Sequence, residues 1–233
     1  MPSDSPRDVV LSRIRQALDG RGRGAVSRPA AAGVRTGSAG TPVPPRTLLA
    51  QFVEAARAAD AKVSVVATPA EARRQIAAIL TAEGTEQVLV SPDAADAPWY
   101  CGGADAPREI LFITRSAVRN DLRDDVLKAD VGVTAPAWAL ADTGTLVMTA
   151  SAGDHRLDSL LPPHHVALVL ASRLVPDLFT LFDRLAAEGR FARHSAITFV
   201  RGPSRTADIE LTLTIGVHGP RALSVVVLDD LRG

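Results

Sequence analysis

Residues 62–91, KVSVVATPAEARRQIAAILTAEGTEQVLVS, decide the fold. Lys62–Ala67 is a short β-branched run and reads as a strand. Thr68 then offers a hydroxyl as helix N-cap, Pro69 suits the first turn, and Glu71 favours the same helix start. The helix runs Pro69 to Glu83, and Gln87–Ser91 returns to an apolar strand. A strand, a capped helix and a second strand in so short a span are the repeating unit of an α/β sheet.

The same alternation continues in both directions. Upstream, Thr47–Ala59 is a helix with Leu48, Phe52, Ala55 and Ala56 on one face. Downstream, Ile110–Thr114, Val131–Thr134, Thr145–Thr149, Val166–Ala171, Ala196–Val200 and Leu223–Leu228 read as strands. Ala117–Leu127 reads as helical, and Pro136–Ala141 as a helical turn leading into Gly144, with Trp138 in the core among its apolar neighbours. Pro176–Glu188 is a strong helix with Leu178, Phe182 and Leu185 facing inward and Gly189 ending it. The expected architecture is a layered α/β/α domain over residues 47–233, its sheet mixed but mostly parallel.

Residues 1–46 have a different character. Arg7–Leu18 reads as a short amphipathic helix, with Pro6 in its first turn and Gly20 stopping it. Gly20–Pro45 is rich in Gly, Pro, Ala and Arg, with no acidic residue and no apolar period, as in a flexible linker.

Composition removes several function classes. The 233 residues carry 26 Lys and Arg against 26 Asp and Glu, for a net charge of zero. That balance lacks the basic field of a nucleic-acid binder and the polybasic patch of a membrane anchor. No apolar run reaches the roughly 20 residues of a membrane span, and MPSDSPRDVV lacks the apolar core of a secretory signal. The expected location is the cytoplasm. The single cysteine, Cys101, forms no internal disulfide and falls short of the ~4 thiolates of an iron–sulfur cluster. His164 and His165 are adjacent, so on a strand they point to opposite faces and do not share an ion. No Gly-x-Gly-x-x-Gly follows a strand and no Walker loop is present, so no cofactor is expected.

Four polar segments stand beside apolar strands: ADTGTLV (141–147), RLDSLLPPHH (156–165), GPSRTADIE (202–210) and GVHGP (216–220). Polar clusters at strand ends are how an α/β fold builds a crevice. In the third, Arg205 supplies a planar fork for carboxylate or phosphate, flanked by the hydroxyls of Ser204 and Thr206. The same hydroxyls also suit a helix N-cap, with Asp208 and Glu210 in its first turn. The ligand-binding candidates are Thr143, Gly144, Thr145, Arg156, Ser159, Ser204, Arg205 and Thr206. His218, Glu210 and Asp208 are the candidates for proton transfer, His218 because its ordinary pKa lies near neutrality. If Arg205 is instead structural, Asp208, Glu210 and Asp158 are its expected partners. Ser159 lacks a nucleophile elbow, which argues against hydrolase chemistry.

The order ADTGTLV, RLDSLLPPHHV, GPSRTADIELTLTIGVHGP resembles the lactate-utilisation protein C family, closely from Val131 onward and more loosely from Leu48. Asp142 departs from the pattern, since many relatives carry Glu there, and its shorter reach weighs against it as a site residue. The resemblance implies a lactate-utilisation (LUD) domain, related in fold to the NagB, ribose-5-phosphate isomerase and CoA-transferase group. It implies a part in oxidising L-lactate to pyruvate alongside iron–sulfur subunits. Joined to the missing cofactor motifs, it suggests a non-redox component that binds a small anionic ligand, docks against those partners, or does both. A free-standing enzyme on a sugar phosphate or acyl-CoA is the alternative by fold analogy. The only lysines, Lys62 and Lys128, lie outside the four segments. A scaffold working through the arginine-rich arm is a third reading.

Overall fold

A computed structural model describes residues 43–95, 111–114, 127–150, 157–189, 194, 196–207, 213–215 and 218–231, all within the unit Thr41–Gly233. The expected Arg7–Leu18 helix, residues 20–42 of the expected linker, Cys101 and nearly all of Ala117–Leu127 lie outside these residues, and the linker's last residue, Pro45, belongs to the first helix.

The stretch that opened the sequence reading folds as expected. β1 (Lys62–Val66) leads through helix α2 (Pro69–Ala82) to β2 (Gln87–Val90). Thr68 Oγ1 accepts from the Glu71 backbone N–H at 3.2 Å, and Glu71 Oε2 accepts from Ala67 N–H at 2.8 Å. Both bonds satisfy donors that a helix start leaves open. Helix α1 (Pro45–Ala58) precedes β1 and begins earlier than Thr47, because Pro45 suits a first turn whose N–H has no partner.

The main sheet holds β1, β2, β3 (Leu111–Thr114), β4 (Val131–Thr134), β7 (His164–Leu170) and β12 (Ala222–Leu228). Its order is β1-β12-β7-β4-β2-β3, and every neighbouring pair is parallel. Both faces are covered, which is why β7 and β12 are buried along almost their whole length instead of alternating, with apolar runs Val166–Leu170 and Val225–Leu228. On one face Ala72, Ile76 and Leu80 of α2 pack against Val88, Val131 and Val166. On the other, Leu48, Phe52 and Ala56 of α1 share a core with Val169, Val225 and Val227. Each fully buried Val, Leu, Ile or Phe among them contributes about 1.5–3 kcal/mol by leaving water.

The antiparallel pairing lies mainly in a second sheet, in the order β8-β5-β6-β9. Its strands are β5 (Trp138–Leu140), β6 (Thr145–Ala150), β8 (Leu174–Val175) and β9 (Ala196–Val200). Here the helical turn expected at Pro136–Ala141 is overturned. Ala139 and Ala141 face the α1 core while Trp138 and Leu140 face the opposite layer, a period of two that a strand provides. The helix α5 (Leu178–Ala187) covers that outer layer, capped by Asp177 Oδ1, which accepts from Thr180 N–H at 2.7 Å. Its inward residues are Leu181 and Leu185; Leu178 and Phe182 are exposed, contrary to expectation. The helix starts at the Asp177 cap, and this sets its rotation. The short helices α3 (Pro92–Ala95) and α4 (Leu157–Leu160) and the hairpin β10 (Arg205–Ala207) with β11 (Leu213–Ile215) complete the described elements.

Candidate functional site

A cleft of about 480 Å³ opens where the amino ends of β1, β7 and β12 meet the edge of β9. Crevices of parallel sheets ordinarily form at the carboxyl ends. Here each segment that enters a strand supplies part of the wall. Ala58 and Ala59 lead into β1, Ser159 and Leu160 into β7, and His218, Gly219 and Pro220 into β12. Thr198–Arg205, from β9 into β10, closes the remaining side.

Two glycines hold these walls together. Gly144 has φ +65, and a Cβ there would lie 2.2 Å from the Ala56 nitrogen. It ends the loop Ala141–Gly144 that joins β5 to β6, with its N–H bonded to Leu140 O at 3.0 Å. Only glycine lets this loop lie against the α1 backbone in that conformation. Gly202 has φ +67, and its Cβ position lies 2.1 Å from the Ala59 carbonyl oxygen. The turn carrying Ser204 and Arg205 thus rests on the end of α1, and Ser204 N–H donates to Pro220 O at 2.8 Å.

The structure brings Ser159, Ser204, Arg205 and His218 around this one cleft. Ser159 is buried, Ser204 is half-buried, and Arg205 and His218 are exposed. Thr143, Gly144 and Thr145 do not line it. They form a hydrogen-bonded run beside it, Thr145 Oγ1 donating to Thr143 Oγ1 at 2.9 Å and Thr143 Oγ1 to Asp142 Oδ1 at 3.0 Å. Arg156, Asp208 and Glu210 lie outside the described residues, as does the Thr206 side chain. The helix N-cap alternative for Ser204 and Thr206 is overturned, because Arg205–Ala207 is extended and pairs antiparallel with Leu213–Ile215.

Two residues escaped the sequence reading. Arg201 lines the cleft and donates from Nε to Thr143 O at 3.0 Å. It also lines an adjoining recess with Ala58, Asp142 and Glu54, so the two hollows share a wall. Its position one residue before the Gly-Pro turn was the available signal. The other is Asp60, whose carboxylate pairs with the Arg205 guanidinium; it was not among the expected partners, of which Asp208 and Glu210 lie outside the described residues. Asp60 has φ +63, a conformation that aspartate tolerates better than most residues, just past the α1 terminus. Nothing local links it to Arg205, which is 145 residues away in the chain.

His164 and His165 point to opposite faces of β7, as alternation requires, and both are buried. His165 Nε2 meets Thr134 Oγ1 at 2.7 Å, and His164 Nε2 meets Ser224 Oγ at 2.9 Å. Burial pulls the His165 pKa down to about 3, reinforced by the neighbouring His164. The His164 pKa is lowered too, chiefly by burial, with Glu83 opposing and Lys62 assisting. Both rings are therefore neutral at pH 7 and act as core hydrogen-bonding groups. Among the described residues no group of three or more His, Cys, Asp or Glu is placed to hold a metal ion. No described helix is long and apolar enough to cross a membrane.

The family model for the LUD domain matches residues 49–228. Lactate utilization protein C of Exiguobacterium sp. is 40% identical over 111 residues, covering 47% of this chain and 48% of that protein. Its counterpart in Deinococcus radiodurans is 32% identical over 157 residues, covering 65% of this chain and 67% of that protein. The chain thus spans about half the length of the Exiguobacterium relative. Among solved structures, a DUF162 family protein from Deinococcus radiodurans matches with a TM-score of 0.58 and 25% identity. That match covers 80% of this chain and 99% of the other.

Proposed function

Because the chain belongs to the LUD domain family, we propose that it serves L-lactate utilisation as a non-redox component. It binds a small anion in the cleft and docks against iron–sulfur partners that carry out the oxidation to pyruvate. The relatives named lactate utilization protein C support the first part of this reading. The observation that carries the second is that Arg201 and Arg205 line one cleft together with Ser204 and the buried Ser159. A guanidinium already balanced by one carboxylate, Asp60, exchanges it for the carboxylate of a ligand with little change in charge. Ser204 and His218 then donate to the same anion.

Calorimetric titration of the full chain with L-lactate and with pyruvate tests the reading, alongside growth on L-lactate of cells carrying each variant. Arg205→Ala should weaken binding roughly ten- to a hundredfold, the loss of one charge-assisted pair. Arg205→Lys should weaken it nearly as much, because the bidentate fork is lost. Unchanged growth and unchanged binding in Arg205→Ala would remove Arg205 from the site.

A further inference from the structure

The cleft is larger and more apolar than a lactate-sized acid requires. Leu160 and Phe199 both line it, and they are 36% and 43% exposed. The large apolar side chains of the three cores are nearly all withdrawn from water. Of the exposed large apolar side chains among the described residues, Leu160 and Phe199 are the two that meet at this concave wall, and such a wall suits an apolar group. Val200, Pro203 and Pro220 extend the same lining. The volume of about 480 Å³ falls within the range of about 300–1,000 Å³ typical of sites that enclose a whole organic ligand. An acid as small as lactate, held at the arginines, leaves most of that space to water.

Charge is distributed unevenly along the hollow. Arg201 and Arg205 stand on the cleft wall, whereas the adjoining recess, reached past Arg201 and Ala58, carries Asp142 and Glu54. A ligand with one anionic head fits this arrangement, because in the recess Arg201 is outnumbered by the carboxylates of Asp142 and Glu54.

Resting on the anion-binding reading above, we infer that the ligand of this cleft is a carboxylate or phosphate monoester with an apolar, ring-bearing body. The head lies at Arg205 and Arg201, with Ser204 beside it. The body lies against Leu160 and Phe199.

The test uses two matched pairs of probes on the full chain by calorimetry: L-lactate with L-3-phenyllactate, and inorganic phosphate with phenyl phosphate. Within at least one pair, the phenyl-bearing probe should bind at least about tenfold tighter than its parent. The pair that shows the advantage identifies the head group. Leu160→Ala and Phe199→Ala change exposed side chains and should leave the melting temperature within about 2 °C of wild type. Each should reduce the phenyl advantage to about threefold or less, with the parent's affinity unchanged. Equal affinities within both pairs overturn the inference and leave the anion-binding reading standing. So does an advantage that persists in the double variant Leu160→Ala/Phe199→Ala. Failure of all four probes to bind overturns the inference and the anion-binding reading together.

Discussion

Replacing Gly144 by Ala should destabilise the protein far more than the same change at Gly84, although both glycines have almost the same backbone angle. Gly144 has φ +65 and Gly84 has φ +64. An alanine in that region costs about 1–2 kcal/mol at either position. The difference lies in the surroundings, since a Cβ on Gly84 meets nothing within 4 Å. A Cβ on Gly144 would lie 2.2 Å from Ala56 N and 2.5 Å from Ala56 Cα, so α1 must retreat by roughly 1 Å to restore ordinary contact. Ala56, Phe52 and Leu48 are the buried face of that helix, and its retreat loosens their packing on the main sheet. Overpacking of this kind costs about 1–3 kcal/mol more. The total for Gly144→Ala is then about 2–5 kcal/mol, a melting temperature lower by about 5–15 °C for a chain of this size. Gly84→Ala should lose about 2–6 °C. Thermal melts followed by circular dichroism give both values. If Gly144→Ala melts no lower than Gly84→Ala, the close seating of the 141–144 loop on α1 is wrong. The position of Ala58–Asp60 at the cleft, which depends on that seating, then loses its support.

Acid should unfold the protein partly through His165. Its pKa is about 3 when folded against 6.5 when free, so below about pH 6.5 the unfolded chain binds a proton that the folded chain does not. Stability is therefore lost as pH falls below 6.5, by about 1.4 kcal/mol per pH unit for that group. Urea midpoints between pH 6.5 and 4.5 should fall more steeply for wild type than for His165→Gln, and parallel slopes would contradict the assignment. Asp60→Asn keeps a residue that tolerates φ +63 but removes the charge opposing Arg205. Anion affinity in the cleft should rise by up to about fivefold, the worth of one exposed pair. A decrease would mean that Asp60 orients the guanidinium instead of competing for it. On α5, Leu181→Ala should cost about 2–5 kcal/mol and Phe179→Ala under about 0.5 kcal/mol, because Leu181 is fully buried and Phe179 is 64% exposed. Chemical denaturation of the two variants checks the helix rotation.

The sequence by itself determined the elements whose signals are local. Thr68, Pro69 and Glu71 mark the start of α2 because cap and dipole act within one turn. The β-branched runs at Lys62–Val66 and Val131–Thr134 form strands because they suit a pleated, buried surface. The adjacent histidines occupy opposite faces because the strand period is two. Local pattern misled at Pro136–Ala141, where β5 exists only because β6 and β8 pair with it. It misled again at Leu178 and Phe182, where the Asp177 cap and packing on the second sheet set the helix rotation. At Arg205–Ala207 a segment whose hydroxyls also suited a helix start is a strand, because the 213–215 segment pairs with it.

The partners in the cleft belong to the tertiary structure alone. That Arg205 meets Asp60 and that Arg201 meets the Thr143 carbonyl follows from the seating of two loops on the end of α1. Ion pairs and long-range hydrogen bonds leave no period or spacing in the chain, since they depend on which segments the sheet order brings together. The placement of the cleft at the amino ends of β1, β7 and β12 has the same origin. Those three strands are neighbours because β12, the last of the described strands, inserts between β1 and β7.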